Sequence, residues 1–397
     1  MNKLPTNWKE VKLGDIVDIT MGQSPKSQFY NKIKEGMPFL QGSSTFGFLY
    51  PSFEIYSSDI KKVAVNGSIL MSVRAPVGDL NMANSDICIG RGLCSINGKN
   101  QYSNKYIFYL LNYYKPRIVH MQKGTTFGAI TKDDIFNFEV IITEDIEEQK
   151  RIASALSKID AYLENTIKLI EEKERFKKGM AKKLLTCKEG ENVPEMRFEG
   201  FNNEWKTVRL GDICLINNKN LKGNTNKDYK FKYIDLTAVK KGNIDLSKDY
   251  ITFENAPASA RRIINKNDII MATVRPYLLG HAFIDFEAKD YICSTGFAVL
   301  TANADIEMKY IYQYLYSNDM AKQIRSRLEG STYPTIKYYA IKELKIKIPK
   351  SIEEQKIIGE YLSLLDAEID NLKEQKEEIK KMKSGIIKKL MSGEVRL

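Results

Sequence analysis

The sequence predicts an α+β protein. Two repeated mixed α/β modules are separated by two long helices that pair as an antiparallel coiled coil, giving a pseudo-twofold internal repeat. Three observations predict it. The stretch from Asp145 to Gly190 returns from Ser351 at a constant offset of 206, with Ile146-Glu-Glu-Gln-Lys150 over Ile352-Glu-Glu-Gln-Lys356 and Asp160 over Asp366. Each copy follows a module with the same opening, Trp8-Lys-Glu-Val-Lys-Leu-Gly-Asp-Ile16 and Trp205-Lys-Thr-Val-Arg-Leu-Gly-Asp-Ile213. Inside the modules, the run Asn66 to Arg74 reappears as Asn267 to Arg275. Self-similarity on this scale sets the architecture before any single motif does. The expected boundaries are 1–144, 145–190, 191–350 and 351–397.

Trp8 and Trp205 are the only tryptophans, in equivalent places, and each reads as a core anchor for a short strand or turn. The halves then diverge, from about residue 19 to 63 and from about 216 to 263. The first carries polar, turn-rich runs at Gln23–Gln28 and Gln41–Thr45; the second has Asn217–Lys222 and Ala260–Arg262. Variable polar loops on a repeated frame suit two modules that read different things. The frame resumes in an apolar run read as a buried strand. An arginine leaves its end in both halves, Arg74 or Arg275, with Pro76 or Pro276 close behind. Such an arginine is either paired with a core carboxylate or aimed at a ligand.

Glycine-bearing turns follow at Gly90-Arg-Gly92 and Ser294-Thr-Gly296. A tyrosine-rich helix comes next, Lys105-Tyr-Ile-Phe-Tyr-Leu-Leu111 and Lys309-Tyr-Ile-Tyr-Gln-Tyr-Leu315, its apolar stripe assigned to the core. Then Gly124-Thr-Thr-Phe127 matches Gly330-Ser-Thr-Tyr333. This is either a tight loop whose N–H and O–H donors hold a phosphate, or a turn with satisfied side chains. Each module closes on an alternating strand, clearest in Leu344-Lys-Ile-Lys-Ile348.

Asp145 and Ser351 stand at N-cap positions with Glu148 and Glu354 three residues on, the spacing of a capping box. Apolar residues then recur in steps of four and three. The first helix gives Ile152, Leu156, Ile159, Leu163 and Ile170; the second gives Ile358, Leu362, Leu365, Ile369, Leu372 and Ile379. This is a coiled-coil seam. Thr166, Lys173 and Lys177 break it in the first copy, Lys376 and Lys383 in the second. The exceptions partly swap between copies, which suits two helices that pair with each other.

The chain has 397 residues and a net charge of +11. Residues 191–351 hold 25 basic and 19 acidic side chains, and residues 1–145 hold 16 and 13, so most of the excess lies in the modules. A basic excess on globular parts points to an anionic partner, nucleic acid first. No apolar run is long enough to span a bilayer and no secretory signal opens the chain, so a cytoplasmic protein without membrane contact is expected. Five cysteines without a Cys-x-x-Cys pair read as reduced core residues, and two distant histidines, His120 and His281, leave no zinc site.

Catalytic signatures are absent from the sequence. There is no P-loop, no dinucleotide fingerprint, no Asn-Pro-Pro-Tyr-type tetrapeptide and no Ser-His-Asp set. Asp268, Glu287 and Lys289 imitate a nuclease metal site, but Gly67 stands where the first half would need its aspartate. No catalytic residue and no metal ligand is assigned. A binding and scaffolding role is expected; a self-contained DNA nuclease or a free-standing DNA-binding protein is the alternative.

The order of module, long helix, module, long helix, with Trp-Lys-x-Val-[Lys/Arg]-Leu-Gly-Asp-Ile opening each module and Ile-Glu-Glu-Gln-Lys entering each helix, resembles the specificity subunit of type I restriction-modification enzymes. The resemblance covers nearly the whole chain. It implies two target recognition domains, each reading one half of a split, asymmetric target in double-stranded DNA, and two helices that set the spacing between them. It also implies two methyltransferase (modification) subunits that bind S-adenosylmethionine, and two restriction (translocase-nuclease) subunits that use ATP and Mg2+. No cofactor is then expected in this chain. Phosphate contacts by Lys and Arg would supply salt-dependent affinity, and polar side chains of the divergent zones the base readout. The candidates are Gln41, Ser43, Ser44, Arg74, Arg91, Lys123, Thr125 and Thr126 in the first module. In the second they are Lys219, Asn220, Lys222, Arg261, Arg262, Arg275, Ser331, Thr332 and Tyr333.

Overall fold

The structure is a computed structural model that describes residues 5–122, 128–187, 190–303 and 305–397. It divides into two compact units, residues 1–169 with 372–397, and residues 170–371. Each long helix therefore gives one part to each unit.

In the first unit the entry strand Trp8–Lys12 pairs antiparallel with Glu139–Thr143, the strand that leads into the long helix. An antiparallel sheet follows in the order Val17–Met21, Leu93–Gly98, Ile69–Ser72, Leu80–Met82. The divergent zone folds into a second sheet whose centre is a parallel pair, Met37–Leu40 beside Ile87–Ile89. Ile69, Leu70, Met71 and Ser72 are all buried, which explains the continuous apolar run: this strand is covered on both faces. The helix Asn104–His120 packs across the first sheet through Tyr106, Ile107, Leu110 and Leu111. Ser103 caps it by accepting the Tyr106 N–H at 3.2 Å.

The second unit repeats this plan. Lys206–Arg209 pairs with Lys345–Ile348, and the antiparallel sheet runs Cys214–Ile216, Phe297–Ala302, Ile269–Ala272, His281–Phe283. The divergent zone again centres on a parallel pair, Lys230–Ile234 beside Tyr291–Ser294. The zones that share no sequence thus share a topology. The module helix differs: it is broken into Met308–Leu315 and Asn318–Arg325, because Ser317 caps a new start. Of the five free cysteines, Cys187 is half-buried and the others are buried; burial raises the Cys94 and Cys214 thiols to about 12.

The long helices are Ile146–Leu185 and Ile352–Met391, each 40 residues. Their entries correct the capping-box expectation. Asp145 does cap, accepting the N–H groups of Glu147 and Glu148 at 2.9 and 3.2 Å. Glu148 does not return the bond. Its buried carboxylate accepts from Thr143 Oγ1 at 2.6 Å and from the Arg396 guanidinium at 2.8 and 2.9 Å. In the second unit Glu354 accepts from Arg197 at 2.7 and 2.8 Å and from Trp205 Nε1 at 3.1 Å. Beside them Gln149 and Gln355 donate to the carbonyls of Thr143 and Pro349 at 2.8 and 2.9 Å. The shared Glu-Gln is therefore a lock between strand, helix entry and arginine.

The seam is also more divided than a plain heptad. Ile152 and Leu156 belong to the core of the first unit together with Leu390 and Met391, and Ile358 and Leu362 to that of the second with Leu184 and Leu185. Leu163, Ile170, Ile369 and Ile379 are buried, while Ile159, Leu365 and Leu372 are half-buried. The off-pattern lysines have partners. In the first unit Lys383 meets the buried carboxylate of Asp160 at 2.5 Å, which also accepts from Tyr109 Oη at 2.6 Å. In the second, Lys177 pairs with Asp366, which also accepts from Gln313 Nε2 at 2.8 Å. Within each unit the partners run in opposite directions, so the helices pair antiparallel.

Candidate nucleic-acid interface

Hydrogen bonds define which positions correspond between the modules. Val73 N–H donates to Gly92 O, and Thr273 N–H to Gly296 O; Ser72 N–H donates to Asp79 O, and Ala272 N–H to Gly280 O. The strand therefore matches at an offset of 200, one less than residue identity suggests. The additional residue is taken up between Thr273 and Gly280. Arg74 consequently corresponds to Val274, and these two bridge Ala129 and Thr335 respectively. Arg275 is one step further, in the left-handed region at φ 46. By the same register Ser68, not Gly67, takes the place of Asp268. The Asp268 carboxylate accepts the Asn265 N–H at 2.7 Å, and Glu287 pairs with Lys266, so both carboxylates of the nuclease-like trio are engaged in local contacts.

In the first module a rim forms where the parallel pair ends. Ser24 Oγ donates to Gln41 Oε1 at 2.9 Å and accepts the Arg91 N–H at 3.1 Å. Gly90 and Gly92 lie against Gln41: a Cβ on either would come within 2.7 and 2.5 Å of its Oε1 and O. Two glycines are thus needed for the chain to pass there. Gln41, Ser44, Arg74 and Arg91 are exposed. Ser43 is half-buried and donates to Asp79 at 3.3 Å, a carboxylate also held by Lys115 at 2.8 Å. Lys123, Thr125 and Thr126 lie outside the described residues. The structure adds Ser24, which residue patterns marked only as part of a polar turn.

The second module carries two groups. Arg275 donates from Nη2 to Thr332 O at 3.3 Å, and its guanidinium lies 4.5 Å from the centre of the Tyr333 ring. This brings together the arginine and the Gly-Ser-Thr-Tyr loop, whose Ser331, Thr332 and Tyr333 are exposed. The other group is Lys219, Asn220, Lys222, Arg261 and Arg262. Arg262 Nη1 donates to Asn220 Oδ1 at 2.7 Å, and Arg261 lies over the Phe253 ring at 4.6 Å. Burial lowers the Arg262 pKa, and its Nε has no partner among the described residues. Arg262 and Asn220 therefore tie two segments together, whereas Lys219 and Lys222 stand free in solvent.

Equivalent rim positions carry different chemistry. Leu40 pairs with Ile89 and Ile234 with Cys293 in the parallel pairs, so Asp235 follows where Gln41 does, and Thr295 where Arg91 does. The Thr237 hydroxyl, with the Thr237 and Ala238 N–H groups, holds the Asp235 carboxyl below its usual range. One rim offers a neutral amide and a guanidinium; the other offers a carboxylate and a hydroxyl.

The family model for the type I restriction modification DNA specificity domain matches residues 5–172 and 202–381. A putative type I restriction enzyme MjaX specificity subunit from Methanocaldococcus jannaschii is 44% identical over 191 residues, which span 47% of this chain and 45% of that one. The MjaVIII specificity subunit of the same organism is 23% identical over all of this chain and 94% of its own length. Among solved structures, the S subunit of a type I restriction-modification system from M. genitalium matches with a TM-score of 0.66 at 19% identity, covering 98% of this chain and 97% of that one. Two matched copies of the domain, on two modules with one topology, account for most of the sequence: the chain belongs to the type I restriction-modification DNA specificity family.

Proposed function

We propose that this chain reads a bipartite, asymmetric target in double-stranded DNA, one half with each module, and serves as the non-catalytic scaffold for two methyltransferase subunits and two translocase-nuclease subunits. S-adenosylmethionine, ATP and Mg2+ belong to those partners in this reading. The observation that supports it is the pair of rims. One backbone frame presents Gln41 and Arg91 in one module and Asp235 and Thr295 in the other, which suits two different half-sites. Arginine bonds guanine bidentately and glutamine adenine, while a carboxylate accepts from the cytosine amine. The exposed Arg74, Lys219 and Lys222 suit phosphate contacts.

The test is recovery of the tagged chain from its native cell, with mass spectrometry and methylome sequencing. A methyltransferase recovered in about twofold excess, together with a split asymmetric methylation motif, is the expected result. DNA cleavage by the purified chain with a divalent metal alone would overturn the reading. Binding that does not weaken with salt would overturn the phosphate contacts.

A further inference from the structure

We propose that the turn from Arg275 to Leu279 is a wedge that enters a base step of the DNA, so that the second module recognises its half-site partly by deforming it. The inference rests on the DNA-reading role proposed above and adds a mode of recognition to the second module.

The turn presents apolar surface to water. Leu278 is 61% exposed and Tyr277 41% exposed, side by side on a single helical turn, Pro276–Leu278. Single exposed apolar residues are ordinary on protein surfaces. This pair differs in how firmly it is held. Arg275 and Leu279, on either side, both adopt left-handed backbone at φ 46 and 59. Non-glycine residues in that region persist only where their surroundings fix them. Here Arg275 N–H is bound to Pro334 O at 2.7 Å, Leu278 N–H to Arg275 O at 2.9 Å, and Leu279 N–H to Pro276 O at 3.0 Å. Pro276 is buried beneath.

The setting selects DNA as the occupant. The wedge continues directly from Arg275, which stacks on Tyr333, and this module carries the larger share of the basic excess. A cation beside a projecting apolar tip is the arrangement with which proteins hold phosphates and part a base step. The first module has no counterpart among its described residues. Its loop is one residue shorter: after the exposed Arg74 come Ala75 and Pro76, also exposed, and then Val77, which is buried. The additional residue that shifts Arg275 out of register is the one that makes room for the tip.

The experiment uses the complex purified with its methyltransferase, on the target given by the methylome, with 2-aminopurine placed in turn at the adenine positions of both strands. A flipped target base gives its own signal and serves as the internal control. The expected result is an additional fluorescence rise of about fivefold at one step in the second module's half-site, lost in Leu278→Ala. Affinity should fall about tenfold in that variant with an unchanged salt slope, whereas Arg275→Ala should reduce the slope by about one. Specific binding without an additional unstacked step overturns the wedge alone. So does a signal that survives the Tyr277→Ala/Leu278→Ala double variant. Loss of the methyltransferase from Leu278→Ala, with unstacking unchanged, overturns it in favour of protein docking. A wild-type complex without sequence-specific binding overturns both the wedge and the DNA-reading role.

Discussion

The two modules hold the same backbone plan with different polar groups at the same stations. Where the module helix meets the long helices, the first unit sets Tyr109, Asp160 and Lys383 together, and the second Gln313, Asp366 and Lys177. The Asp160 side chain is 2% exposed, that of Asp366 37%. In the sheet, Leu80 faces Met71 in one module, and His281 takes the same place against Met271 in the other. The lesson is that the apolar frame fixes the topology, while stability against charge and pH is set separately in each module by a few buried polar groups.

That difference can be broken at the junction first. Lys383→Met leaves Asp160 buried without its cation, and should cost the first unit about 3–5 kcal/mol. Lys177→Met should cost the second about 1 kcal/mol, because water reaches Asp366. Amide hydrogen exchange separates the two, since it reports each unit's own opening free energy. Equal losses in the two variants would erase the contrast.

Acid should act on the modules unequally. Burial holds His281 neutral and lowers its pKa from 6.5 to about 4. Both ring nitrogens lack a partner among the described residues, and Tyr316 meets the ring edge-on at 5.8 Å between centroids. A depressed histidine contributes its full share above its unfolded pKa, and that share is lost as pH falls from 6.5 toward 4, here about 3 kcal/mol in all. His281→Leu, which copies Leu80, should remove this acid sensitivity from the second unit; unfolding followed at pH 7 and pH 5 would read it. Glu148 adds a second, lower window in the first unit. Burial raises its pKa, but the bonds from Arg396 and Thr143 outweigh that and hold it below the usual range. Its contribution is present above the unfolded carboxylate pKa and fades as pH drops through the folded value.

The helix ends should differ by less. Gly190 and Gly393 both have positive φ, at 80 and 73. Alanine at either costs about 1 kcal/mol in backbone strain. At Gly393 the new Cβ would also come within 2.8 Å of Pro5 Cγ and 3.2 Å of the Trp8 ring, whereas Gly190 has open space. Gly393→Ala should therefore lower the unfolding midpoint more than Gly190→Ala; identical midpoints would show that the ring yields. The smallest contrast is at the rims. Arg91→Ala should cost about 1–3 kcal/mol of discrimination at one base of the first half-site, Thr295→Ala less at the second, both read by binding to single-base target variants.

Much of this plan was legible because period and repeat are local properties. The seam, the two buried tryptophans and the repeated apolar strand follow from spacing, whereas the topology shared by the divergent zones left no trace in their residues. The role of Glu148 was not, since a capping box and a buried ion pair look alike until Arg396 arrives from 248 residues away. The alignment of Arg74 with Arg275 failed for a different reason. Identity favours an offset of 201, but strands match by hydrogen bonds, and a one-residue slip turns a side chain to the opposite face. The fates of Arg262 and Asn220, tied to each other, lay equally beyond reach, because loops separated by 42 residues gave no sign of meeting. The lysines in the seam were legible as exceptions. For Lys383 and Lys177 the partners are Asp160 and Asp366, at the same offset as the two lysines themselves.

Those lysines have a genetic consequence. Asp160 and Lys177 are separated along the first helix by the same number of residues as Asp366 and Lys383 along the second. Each charge pair joins one helix to the other inside its own unit. Lys383→Met should be harmful alone and rescued by Asp160→Leu, which removes the buried charge along with its cation. Substitutions here should therefore be inherited in matched couples, each acting as the suppressor of the other.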